Sequence, residues 1–89
     1  MPEKRVTVAS KVGLHARPAA LVAKAAAAQP VAVRIAKDGG EPVAAGSVLN
    51  LMTLAAAYGD EVVISAEGDG AEAAVEAVAE LVATDLDAQ

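Results

Sequence analysis

The chain has no cysteine, phenylalanine or tryptophan, and its 89 residues include one tyrosine and one histidine. Absence of cysteine excludes a disulfide scaffold, a thiolate metal site and thiol catalysis, and fits a reducing, intracellular compartment. The near absence of aromatic rings, with a net charge of −5, argues against a nucleic-acid module, which needs basic grooves and stacking platforms. No apolar run approaches the roughly 18 residues of a membrane span. Met1-Pro2-Glu3-Lys4 leads directly into a strand-like pattern, so neither a signal peptide nor membrane insertion is expected, and the expected location is cytoplasmic. What the chain does have is 55% hydrophobic residues, mostly alanine and valine, so its core is assembled from many small side chains. Its length fits one domain over residues 1–89, with no room for a second core.

Basic residues are missing from the whole second part. Lys4, Arg5, Lys11, Arg17, Lys24, Arg34 and Lys37 all fall in the first 37 positions beside one acid, Glu3, whereas the remaining 52 residues carry eleven acids. Such asymmetry bears on partners and steering rather than on fold.

Arg5 to Ala9 alternates with a period of two and predicts a strand with Val6 and Val8 on one face. Ser10 to Leu14 reads as a loop. Ala16 to Ala28 is rich in helix formers, with Pro18 in the first turn and Pro30 as the stop. Val31, Val33 and Ile35 alternate with Ala32, Arg34 and Ala36 as a second strand, and Lys37 to Gly40 is a turn signal. Glu41 to Ala44 predicts a short third strand that Pro42 confines to an edge or a bulge. Ser47 suits the N-cap of a short helix from Val48 to about Ala57, closed by Tyr58-Gly59. Glu61 to Ala66 is a fourth strand, and Ala71 to about Leu86 a last helix with Glu72, Glu76 and Glu80 on its polar face. Strands with one apolar face suit a four-stranded antiparallel sheet covered by three helices on one side. The expected class is therefore α+β, an open-faced β-sandwich in the order β-α-β-β-α-β-α.

Chemistry concentrates in Gly13-Leu14-His15-Ala16-Arg17-Pro18. Gly13 frees the loop backbone, and Pro18 in the first turn puts His15 at or next to the helix N-cap. Backbone N–H groups of Ala16 and Arg17 then face whatever the imidazole carries, at the positive end of the helix dipole. Arg17 adds a planar guanidinium suited to bidentate phosphate contact, and no acid stands between Glu3 and Asp38. The same surroundings favour an imidazole that is neutral at pH 7. From the residues alone, an ordinary capping histidine and an anion or phosphate site both remain open.

The hexapeptide resembles the active-site signature of HPr, the histidine-containing phosphocarrier family of the bacterial sugar phosphotransferase system. The likeness extends over nearly the whole chain, in length, in the position of the histidine and in the order of elements. Gly46-Ser47-Val48-Leu49-Asn50-Leu51-Met52-Thr53-Leu54 is similar to the family's second motif, a serine opening a short helix with an exposed apolar surface. The resemblance implies that His15 accepts a phosphoryl group on Nδ1 from enzyme I and passes it to the A domain of a sugar-specific enzyme II. Arg17 then takes the place of the residue that neutralises the phosphoryl oxygens, and Pro18 has a structural part.

Three apolar residues at helical spacing ordinarily belong to a core. The family reading instead makes Val48, Leu49 and Met52 a docking patch, rimmed by Arg17 and Lys24, while Leu51, Leu54, Ala55 and Tyr58 serve the core. Ser47 matches the serine that a kinase phosphorylates in many relatives, although an N-cap role already explains it. Gly46 and Asn50 depart from the lysine and glycine common on either side. A monomeric carrier without cofactor, metal or independent turnover is expected. Its rivals are a carrier in a nitrogen-regulatory relay and a small anion-binding regulatory module. The basic residues are expected to face enzyme I and enzyme II, and the glutamates of the last helix to face solvent.

Overall fold

The computed structural model describes residues 2–11, 13–14 and 16–84. Seven elements follow in order: β1 (Glu3–Thr7), α1 (Ala16–Ala27), β2 (Val33–Lys37), β3 (Val43–Ala44), α2 (Val48–Leu54), β4 (Glu61–Ala66) and α3 (Ala71–Val82). The strands form one antiparallel sheet in the order β1-β4-β2-β3. Three helices join them, giving the open-faced α+β arrangement expected from the pattern.

Register decides which side chains are covered. Val6 lies opposite Val62 and Lys4 opposite Ile64, while Ile35 lies opposite the same Ile64 from the other side. This row of alternate residues meets the helices. Val33, Ile35, Val62 and Ile64 are buried there with Leu14, Val22, Leu51, Val75, Val78 and Val82. Full burial of one such aliphatic side chain is worth about 1.5–3 kcal/mol. Ala19, Ala23 and Ala26 of α1 and Ala71, Ala74 and Ala79 of α3 are also buried, so much of the helix layer packs through methyl groups. Glu3, Arg5, Thr7 and Arg34 alternate onto the opposite face of the sheet and are exposed.

Some boundaries differ from the expected ones. β1 begins two residues earlier than the alternation suggests, because Pro2 O already accepts a hydrogen bond from Ala66 N–H. β2 starts at Val33 rather than Val31, where the partner strand β4 runs out at Ala66. The helix opened by Ser47 ends at Leu54, not near Ala57, because Ala55 turns left-handed at φ 56° and donates its N–H to Met52 O. Side chains after Leu54 therefore do not continue the helical period. Ala55 is exposed and Tyr58 is 60% exposed, so neither serves the core, whereas Leu51 is fully buried and Leu54 half-buried. Pro42 precedes β3, which is an edge strand as required. Leu86, expected at the end of the last helix, lies outside the described residues.

Ion pairs link basic residues of the first part of the chain to acidic residues. Arg5 Nη1 lies 2.7 Å from Asp38 Oδ1 and 3.3 Å from Glu61 Oε1. Asp38, and after it Glu61, hold the Arg5 guanidinium above its ordinary value. Lys4 Nζ is 3.4 Å from Glu76 Oε1, and Lys37 Nζ is 3.6 Å from Asp60 Oδ2. These are exposed pairs that add little stability individually. They do occupy three of the seven basic side chains.

Candidate functional site

The motif-bearing loop is held by one main-chain bond within itself and one to the segment that follows α2. Gly13 N–H donates to Ser10 O at 2.8 Å, and Leu14 N–H donates to Ala56 O at 2.9 Å. Leu14 is 2% exposed and anchors the loop in the core. Gly13 has φ +76°, and a Cβ there would sit 2.5 Å from Ala56 O. The glycine is thus required both by its left-handed backbone and by the neighbouring carbonyl.

His15 lies outside the described residues. Its two neighbours in sequence are described. Leu14 is buried as above, and Ala16 opens α1 with φ 49°, a left-handed conformation costly for a residue with a Cβ. Such strain concentrates at functional sites. Arg17 is exposed in the first turn of α1, and Pro18 beside it is buried, so the proline faces the core while the arginine faces outward. Lys24 is exposed two turns further along.

α1 and α2 pack side by side and run antiparallel. The start of α1 meets the end of α2 through the Leu14–Ala56 bond, and a Cβ on Gly46, just before α2, would lie 3.6 Å from Ala27 at the end of α1. The Ser47 hydroxyl caps α2 by accepting from Asn50 N–H at 3.2 Å. Outward from this helix project Leu49, 70% exposed, together with Val48 and Met52. One short helix thus divides its apolar residues, sending Leu51 and, partly, Leu54 inward and Val48, Leu49 and Met52 to solvent.

Leu21 is an addition that sequence reasoning missed. It stands four residues after Arg17 and three before Lys24 and is an exposed apolar side chain on α1. The signal was present: the buried set Pro18, Ala19, Val22, Ala23 and Ala26 leaves Leu21 on the opposite side of the helix. Among the described residues no group of His, Asp and Glu side chains is arranged to hold a metal ion, and no helix is long and apolar enough to cross a membrane.

The family model for PTS-HPr, described as the PTS HPr component phosphorylation site, matches residues 2–84. The chain belongs to the HPr family. Phosphocarrier protein HPr of Streptomyces coelicolor is 48% identical over 87 residues, covering 98% of this chain and 94% of that protein. The crystal structure of a phosphocarrier protein HPr from Bacillus anthracis has a TM-score of 0.85 at 43% identity, covering 91% of this chain and 95% of that one. Phosphocarrier protein NPr of Shewanella violacea is 34% identical, over 96% of this chain and 92% of its own. This HPr-family chain is accordingly a phosphocarrier of the phosphotransferase system, and the fold is that of the solved HPr structures.

Proposed function

We propose that His15 is the phosphoryl acceptor, taking the group on Nδ1 from phospho-enzyme I and donating it to the A domain of a sugar-specific enzyme II. In the first step the Nδ1 lone pair forms a bond to phosphorus as the P–N bond on enzyme I breaks. In the second, a nucleophile of the enzyme II A domain forms a bond to phosphorus as the Nδ1–P bond breaks and its electron pair returns to Nδ1. Phosphohistidine keeps a high transfer potential, so the carrier must hold the group without stabilising it strongly. Positioning and charge stabilisation then do most of the work, and each partner supplies part of both.

The observation that carries this reading is the Leu14–Ala56 bond, which joins the motif-bearing loop to the end of the exposed apolar helix. A partner seated on Val48, Leu49 and Met52 is thereby brought beside the start of α1. Arg17 is the group that neutralises phosphoryl oxygens, backbone N–H groups of Ala16 and Arg17 complete the cradle, and Lys24 and Leu21 complete the docking rim. Ser47 is a regulatory phosphorylation site on this reading: a kinase that adds a phosphoryl group there places negative charge at the edge of the docking patch. The same reading has the protein acting as a cytoplasmic monomer, with no cofactor, metal, nucleic acid or membrane insertion in the transfer. The 48% identity to an HPr, against 34% to an NPr, favours the sugar-uptake branch over a nitrogen-regulatory relay.

Arg17→Ala tests the assignment directly. It is expected to fold normally and to slow transfer from phospho-enzyme I by roughly 10- to 100-fold, the worth of one lost charged hydrogen-bonding group. A wild-type rate removes Arg17 from the mechanism.

A further inference from the structure

The segment between α2 and β4 is short and conformationally demanding. It contains Ala55 at φ 56° and Gly59 at φ 88°, two left-handed residues within five positions. It also carries the bonds that locate both ends of the histidine loop. Val8 N–H donates to Asp60 O at 2.9 Å and Gly59 N–H donates to Val8 O at 3.0 Å, while Leu14 N–H donates to Ala56 O at 2.9 Å. Ala57 Cα lies only 3.1 Å from where a Cβ on Gly13 would be. The loop is thus seated against the backbone of residues 56–60.

One side chain closes that seat. Asp60 Oδ2 accepts from Ala57 N–H at 2.9 Å, and Asp60 N–H donates to Ala57 O at 3.0 Å. Two bonds therefore join the same pair of residues, one through the side chain and one through the backbone. The ionised carboxylate makes the first a charge-assisted bond. Without it, Ala57 N–H turns to water and the turn is free to sample other shapes, carrying Ala56 O away from Leu14.

We propose that Asp60 is a positioning residue for phosphoryl transfer, acting through the Ala57 N–H bond to fix the seat of the histidine loop. This rests on the carrier reading of His15. Lys37 Nζ, 3.6 Å from the same oxygen, is a secondary partner, because an exposed pair of that length contributes little.

The test compares Asp60→Ala, Asp60→Asn and Lys37→Met with the wild type by amide hydrogen exchange and by transfer from phospho-enzyme I. Asp60→Ala is expected to speed exchange at Leu14 roughly fivefold, the worth of one net hydrogen bond, with exchange at Ile64 in the central strand unchanged. The kcat of enzyme I with this variant as acceptor falls while the KM of enzyme I for it stays put, since the docking patch is untouched. Asp60→Asn retains an acceptor for Ala57 N–H and restores both readouts, and Lys37→Met leaves both near wild type. Unchanged Leu14 exchange in Asp60→Ala overturns the proposal, as does an Asp60→Asn protein as slow as Asp60→Ala. A rise in KM alone overturns it too, by making Asp60 a partner contact. A wild type that takes no phosphoryl group overturns the carrier reading, and the transfer role of Asp60 with it, whereas the exchange arm independently decides the seat.

Discussion

Gly13 carries two constraints at once, a left-handed backbone and a carbonyl that occupies the space of any side chain. Gly13→Ala is expected to cost about 2 kcal/mol or more in urea unfolding, since strain and overpacking act together, or else to displace the loop from Ala56. An unchanged midpoint and an unchanged Leu14 amide would contradict the geometry. The sequence made Gly13 legible as a source of freedom in a loop, and it made Pro18 legible as a first-turn residue of α1. The second constraint was not legible, because Ala56 and Ala57 come from the far side of α2 and look like ordinary alanines. Asp60 escaped notice for the same reason: an aspartate after a glycine looks like a solvated turn until its bond to Ala57 is seen.

At the scale of elements, α2 shows how far a periodic pattern can be read. Leu51 inward with Val48, Leu49 and Met52 outward follows from spacing together with the family resemblance, and the exposures agree. The same spacing failed at Ala55 and Tyr58, because a single left-handed residue ends the helix after Leu54 and resets the direction of everything beyond it. Strand ends were missed by about two residues because they depend on where the neighbouring strand stops, which no local pattern records. Leu49→Asp is the sharpest test of the patch. With Leu49 70% exposed, stability is expected to stay within about 0.5 kcal/mol, while the KM of enzyme I for the carrier rises roughly tenfold. A large loss of stability with unchanged KM would return Leu49 to the core.

At the scale of the whole molecule, the basic and acidic parts of the chain are interleaved rather than segregated. The strand order puts β4, from the acidic part, between β1 and β2 from the basic part, so Lys4, Arg5 and Lys37 pair with Glu76, Asp38, Glu61 and Asp60. Arg17 and Lys24 are exposed on α1, and Glu72, Glu76 and Glu80 are exposed on α3, so steering of acidic partners is assigned to the α1 side. Transfer from phospho-enzyme I is therefore expected to slow several-fold as salt rises from about 0.05 to 0.5 M, through the association step. Salt-insensitive rates would remove electrostatic steering from the account. The central claim, that one nitrogen of the motif loop carries the phosphoryl group, is tested most directly by intact-mass measurement. Wild type and His15→Ala are incubated with phosphoenolpyruvate and enzyme I. The wild type is predicted to gain the mass of one acid-labile phosphoryl group and His15→Ala none; an unmodified wild type, or equal modification of both, contradicts the claim.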